Sequence, residues 1–248
     1  MSKPHHILNG DALNEQFPGV LEGERIIMRE CLLEGDVAGN SPEELYRTRA
    51  RYLSSRYEEV TDEWYNKKTV VELDKIRNII PGTDISLWFE EDLFCQVNLW
   101  YVSHLLTQTG NHSAFLVLPD AHCRYNFGAM NQADLIAAFR QRQPLDVTVL
   151  SELWTCYQKQ DGPGLEAIAS RHHHEYPFLR AAVQAHRDRI SGDENPGRPI
   201  RVLTEIIEEL GTTALGPVFK AFHQREPVYG YGDLQIQRML EELIHPKG

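Results

Sequence analysis

The chain has 248 residues, of which 42% are hydrophobic and 25% are charged, and this length suits one large α/β domain or a domain with a helical appendage. The balance of apolar and charged residues excludes a disordered or fibrous protein. A formal net charge of −11 repels the phosphate backbone of a nucleic acid, so nucleic-acid binding is not expected as the main role.

The first residues and the cysteines indicate a compartment. The segment from Met1 to His6 lacks the basic and apolar regions of a secretory signal, and no uncharged apolar run reaches about 18 residues, so no membrane partner is expected. The four cysteines show no Cys-x-x-Cys spacing, which favours reduced thiols. We therefore expect a cytoplasmic protein.

Short apolar segments predict parallel strands in the N-terminal half. They are His5–Asn9, Arg25–Arg29, Ile85–Phe89 and Phe115–Leu118. Helical patterns separate these segments, with helix starts at Ser41-Pro42 and near Leu93. Strands joined by helices form a parallel sheet covered on both faces, so we expect an α/β domain with a Rossmann-like or flavodoxin-like sheet over residues 1–125.

Beyond Asn131 the pattern becomes helical. Apolar spacing predicts helices over residues 131–142, 145–158, 165–169, 178–190, 200–210 and 215–222, and a last helix capped by Asp233. The polar segment Ser191–Gly197 predicts a flexible loop. Residues 126–248 are therefore expected to form a mostly helical region that packs on the α/β domain.

Polar residues follow the first three predicted strands, which is where open parallel sheets bind ligands. Gly10 lets the backbone approach a ligand closely, and arginines can meet its negative end. Gln96 is a polar side chain on an otherwise apolar helix. If the turns converge in one polar pocket, the candidate ligand-binding residues are Asn9, Gly10, Arg29, Glu30, Arg47, Arg49, Glu90, Asp92 and Gln96.

A purely structural interpretation of these residues stays open. Asp11 and Asp92 could cap helices, while Glu30 stays solvated. The arginines of the early helix could pair with Glu43 or Glu44 on its surface.

Whether the protein is an enzyme is also left open. Hydrolysis or group transfer would need a general base with a raised pKa, and Asp11 and Glu34 are the candidates. The Gly10-Asp11-Ala12-Leu13 block is similar to the Gly-Asp-Ser-Leu block of lipase-like esterases, but Ala12 lacks the nucleophilic hydroxyl. The sequence assigns no cofactor.

No metal site is predicted either. Adjacent residues such as His172-His173-His174 point in different directions, and they do not have the spacing of a zinc helix. The acidic turns match no known metal-binding motif.

Three blocks of the sequence resemble the bacterial domain-of-unknown-function 1835 family. These blocks are residues 6–11, 28–35 and 87–96, and the segment 229–236 is similar to the closing segment of that family. The resemblance spans most of the chain. The resemblance implies a bacterial cytosolic protein that shares the fold of the family, and it supplies no catalytic residues.

Two functions follow from the sequence as hypotheses. In the first, the polar turns bind a small polar or phosphorylated metabolite, with hydrolase or transferase activity as an option. In the second, the protein is a non-enzymatic regulatory or scaffold protein whose helical half binds a protein partner.

Overall fold

The computed structural model describes residues 3–190, 192 and 196–245. Among these residues, unit 1 comprises those up to Glu90 and from Cys95 to Ile168, whereas unit 2 comprises Glu91–Phe94 and those from Ala169 onward. The sequence placed the boundary near residue 125, but the helices between there and Ile168 belong to unit 1. Part of the predicted loop Ser191–Gly197, at positions 191 and 193–195, lies outside the described residues.

Unit 1 contains a five-stranded sheet. Its strands are β1 His5–Asn9, β2 Glu24–Met28, β3 Asp84–Trp88, β4 Ser113–Val117 and β5 Gln143–Pro144, in the order β2-β1-β3-β4-β5. The first four strands are parallel, and β5 pairs antiparallel with β4. The predicted α/β class with a parallel sheet is confirmed, and the order of the strands is that of flavodoxin-like sheets. The short edge strand β5 was not predicted.

Helices connect the parallel strands, as the sequence pattern indicated. The helices of unit 1 are α1 Asp11–Gln16, α2 Pro42–Arg56, α3 Asp62–Tyr65, a π-helical segment Asn66–Val70, α4 Val71–Arg77, α5 Leu93–Thr107, α6 Gln132–Arg140 and α7 Val147–Gln158. The first two residues of α5 fall in unit 2. The predicted start of α2 is confirmed, because the Ser41 side chain accepts a hydrogen bond from the Glu44 amide at 3.2 Å and Pro42 occupies the first turn.

One face of the sheet carries an aromatic core. Trp88 is fully buried at the end of β3, and its ring packs against Phe17, Phe127 and Phe139. The indole nitrogen donates to Nδ1 of the buried His6 at 3.2 Å, so the polar atom of the tryptophan has a partner inside the core. This packing fixes the carboxyl end of β3 beside that of β1.

Unit 2 is helical. The boundary between the units falls inside α8 Gly162–Arg171, and it is followed by α9 Phe178–Asp188, α10 Arg198–Leu210, α11 Leu215–Arg225 and α12 Asp233–Ile244. Asp233 is the first residue of α12, and Gly232 occupies the N-cap position that the sequence assigned to Asp233. Among the described residues, no helix has the length and apolar character needed to cross a membrane.

Candidate functional site at the carboxyl edge of the sheet

The order of the strands brings the turns after β1, β2 and β3 to one edge of the sheet. β1 lies between β2 and β3 and is parallel to both, with Asn9 opposite Met28 and Leu8 opposite Trp88. The chain leaves β1 toward one side of the sheet and later returns to β3 on the other side, so the switch point lies between these two strands. Ligands of open α/β sheets bind at this position.

Asn98 of α5 ties the first two turns together. Its side chain is fully buried and donates to the Asn9 side chain at 3.0 Å and to the Glu30 carbonyl at 2.7 Å. Its own side-chain oxygen accepts from the Leu32 amide at 3.3 Å. Every polar atom of this side chain therefore has a partner. Asn98 was not among the predicted site residues, although a polar residue on an apolar helix is the signal that finds it.

A row of hydrogen bonds continues from Asn9 to Glu90. The Asn9 amide donates to Sγ of Cys95 at 3.0 Å, and the Cys95 thiol donates to Oε2 of Glu90 at 2.9 Å. The other carboxylate oxygen of Glu90 accepts from the Phe127 amide at 3.0 Å. These contacts hold Glu90 in one orientation at the switch point while leaving it partly exposed.

Gln96 lies beside this row and is incompletely satisfied. Its amide nitrogen donates to the Glu90 carbonyl at 2.8 Å, but its side-chain oxygen is buried without a hydrogen-bond partner. A buried acceptor that lacks a donor costs about 1–3 kcal/mol. We call Asn98, Asn9, Cys95, Glu90 and Gln96 the edge row.

Asp11 and Arg29 form an exposed ion pair at the same edge. Two nitrogens of Arg29 donate to the two carboxylate oxygens of Asp11, each at 2.7 Å, and Arg29 also donates to the Lys68 carbonyl at 2.9 Å. The two hydrogen bonds that Arg29 donates to the carboxylate lower the pKa of Asp11. A general base would need the opposite shift, so the geometry argues against that predicted role for Asp11. The carboxylate binds Arg29 and does not cap α1.

Gly10 provides the open backbone that the sequence suggested. Its φ of +96° lies in the region that favours glycine, and a Cβ at this position would meet nothing within 4 Å. Space beside a turn at the switch point is compatible with the close approach of a ligand.

Glu30 and Arg49 form a buried pair behind the edge row. The Glu30 side chain is 1% exposed and that of Arg49 is 0% exposed, with a 3.0 Å contact between Oε2 and Nη2. Tyr65 donates to the same carboxylate at 2.6 Å. Burial alone would lower the pKa of Arg49, but the charge of Glu30 raises it above its ordinary value. Glu30 is therefore not the solvated residue of the structural interpretation.

The remaining hydrogen bonds of Arg49 go to backbone carbonyls. Its guanidinium donates to the carbonyls of Cys31, Glu34 and Asp36, so that all three nitrogens are engaged within the protein. This arrangement ties α2 to the loop after β2. It gives Glu30 and Arg49 a structural role, whereas the sequence placed both among the ligand-binding residues.

The remaining predicted residues are Glu34, Arg47 and Asp92. The Glu34 carboxylate accepts from the Tyr57 hydroxyl at 3.1 Å at the end of α2. Arg47 is exposed on α2 and lines two cavities beside that helix. Asp92 is buried and belongs to unit 2, where a Cβ added to Gly230 would come within 1.9 Å of its carboxylate.

The edge therefore brings together six of the predicted residues: Asn9, Gly10, Asp11, Arg29, Glu90 and Gln96. Cys95 and Asn98 complete the arrangement. Comparisons with protein-family models, with curated proteins and with solved structures found no match to this chain.

Proposed function

We propose that unit 1 binds a small polar or phosphorylated metabolite at its carboxyl edge, between the turns after β1 and β3. The observation that carries the proposal is the edge row, in which the partly exposed Glu90 is held by a thiol and a backbone amide. Side chains that are fixed before binding lose little conformational entropy when a ligand arrives. Such fixed polar groups are typical of specific small-molecule sites.

The polar atoms of the row favour a ligand with hydrogen-bond donors. Glu90 makes no ion pair among the described residues, so its charge is available to a hydroxyl, amino or amide group of the ligand. The side-chain oxygen of Gln96 needs a donor as well. Arg29 lies at the rim, where it can meet a negatively charged end of the ligand while Asp11 holds it in place.

The proposal concerns binding, and it gives Asp11 no catalytic role. A carboxylate whose pKa is lowered by an arginine is a weak proton acceptor near neutral pH. Its bidentate contact instead makes Asp11 the residue that orients Arg29.

The alternative function, partner binding through the helical half, has less support. Four exposed apolar side chains belong to unit 2, namely Ile190, Leu210, Leu234 and Ile244. Individually exposed apolar residues are common on soluble proteins and do not define a docking surface. We therefore retain metabolite binding as the proposed function.

A thermal-shift screen tests the proposal. Nucleotides, sugar phosphates and amino acids, each with and without magnesium, are added to the wild type, to Glu90→Gln and to the control Glu15→Gln. Glu15 is exposed on α1 and provides the same chemical change away from the edge row. We expect at least one compound to raise the Tm of the wild type and of Glu15→Gln, and to raise that of Glu90→Gln much less.

Two results would count against the proposal. One is a panel in which no compound raises the Tm of the wild type. The other is a compound that stabilises Glu90→Gln as strongly as it stabilises the wild type.

A further inference from the structure

A cavity of about 660 Å³ lies between α2 and the helical segment 62–77 of unit 1. This volume falls within the range of small-molecule sites, roughly 300–1,000 Å³. None of its lining residues belongs to the edge row. We call it the α2 cavity and treat it as a second site, independent of the proposed function.

Two arginines of α2 dominate one wall. Arg47 and Arg51 are four residues apart, so they share a face of the helix, and both also line an adjoining cavity of about 400 Å³. Both side chains are exposed, and neither guanidinium has an ion pair or hydrogen bond among the described residues. Like charges at this spacing repel each other, so the pair is electrostatically unfavourable without an anion.

The acidic residues of the cavity are mostly engaged elsewhere. Arg77 binds Glu43 at 2.8 Å and Asp74 at 3.1 Å, and these three side chains line the same cavity. Asp62 is the remaining carboxylate in the lining. Two unpaired guanidinium groups therefore face a single unpaired carboxylate, and the wall formed by α2 favours an anion.

The opposite wall contains an irregular helix. Residues Asn66–Val70 form a π-helical segment between α3 and α4, and both of its end residues line the cavity. Segments of π-helix are rare and are frequently found at functional sites. Their position here is a second indication of a site, independent of the arginines.

The buried part of the lining offers a polar group to a ligand. Tyr46 is 6% exposed and lines the cavity, and its hydroxyl is buried without a hydrogen bond of good geometry. Burial raises the pKa of this hydroxyl, so it stays protonated at neutral pH and can donate as well as accept.

We propose that the α2 cavity binds a small phosphate ester. Arg47 and Arg51 bind the phosphate group, since guanidinium pairs recognise phosphate oxygens through paired hydrogen bonds. Tyr46 and Asn66 face the uncharged part of the ligand, where hydroxyl groups can use them as hydrogen-bond partners.

Inorganic phosphate and pyrophosphate serve as probes of the phosphate subsite. Binding is measured by isothermal titration calorimetry at constant ionic strength, with sodium chloride as the control salt. The variants are Arg47→Gln/Arg51→Gln, which removes both charges, and Ser54→Phe, which places a bulky ring in the cavity lining without changing charge. Arg140→Gln on α6 is the control, because Arg140 is also exposed but lines neither cavity.

We expect pyrophosphate to bind the wild type and Arg140→Gln with similar affinity. The double arginine variant should bind about ten-fold more weakly or worse, because it loses charge-assisted hydrogen bonds. Ser54→Phe should also bind more weakly, with circular dichroism showing that each variant is folded. The proposal is overturned if the wild type binds neither probe, if the double variant and Ser54→Phe bind as the wild type does, or if Arg140→Gln is weakened as much as the double variant.

Discussion

The turns after β2 and β3 each carry a glutamate, and the two carboxylates have opposite surroundings. Glu30 is enclosed by Arg49, Tyr65 and the Cys31 amide. Glu90 is partly exposed and is held by the Cys95 thiol and the Phe127 amide, and it forms no ion pair with a described residue. Burying a charge is costly unless it is paired, so the enclosed pair is structural. The carboxylate that stays open is the one available to a ligand.

The largest expected loss of stability comes from replacing Arg49, the cation of the buried pair with Glu30. Arg49→Met leaves the charge of Glu30 buried without a cationic partner and should lower the free energy of unfolding by about 3–5 kcal/mol. Urea denaturation followed by circular dichroism measures this loss. Arg51→Met is the matched control on the exposed face of the same helix, with an expected change of at most about 0.5 kcal/mol. If Arg49→Met loses as little stability as Arg51→Met, Glu30 does not depend on Arg49 for its stability. The contrast between Glu30 and Glu90 would then be wrong.

The second prediction compares the glutamates directly. Glu30→Gln should cost about 2–3 kcal/mol, because Arg49 then remains charged and buried. Glu90→Gln should cost at most about 1 kcal/mol, since it loses only hydrogen bonds at a partly exposed position. Denaturation curves of the two variants provide the test. A Glu90→Gln loss as large as that of Glu30→Gln would mean that Glu90 is structural too.

The smallest expected effect on stability comes from the exposed ion pair between Asp11 and Arg29. Arg29 lowers the pKa of Asp11, so this carboxylate contributes stability above its unfolded pKa, about 3.9, and loses it as the pH falls through its lower folded pKa. Because the Asp11 side chain is 53% exposed, solvent screening limits the contribution to about 0.2–1 kcal/mol at pH 7.

The measurement is the difference in unfolding free energy between the wild type and Asp11→Asn. It should be present at pH 7 and shrink as the pH falls below about 4. A difference that stays constant down to pH 3 would show that the charge of Asp11 contributes nothing to the folded state.

The sequence predicts the sheet and its polar edge because both depend on local pattern. Apolar segments between helical stretches define four of the strands, and the residues just after three of them do meet at the switch point. The strand β5 has only two residues, one of them Pro144, so it lacks the alternating pattern that would have indicated it.

The sequence does not distinguish residues with a structural role from residues that are accessible to a ligand. Arg47 and Arg49 are two positions apart on one helix, yet one lines an open cavity and the other is fully buried. Their difference depends on the path of the loop after β2, whose carbonyls surround Arg49. The role of Cys95 depends on the fold in the same way, because only the folded chain places its thiol between Asn9 and Glu90.

The most direct test of the proposed function is a crystal structure of the wild type with the compound that raises its Tm most. We expect the compound between the turns after β1 and β3, with its donors on Glu90 and on the side-chain oxygen of Gln96. A compound bound elsewhere, with Glu90 contacting only protein and water, would contradict the assignment of the carboxyl edge as the ligand site.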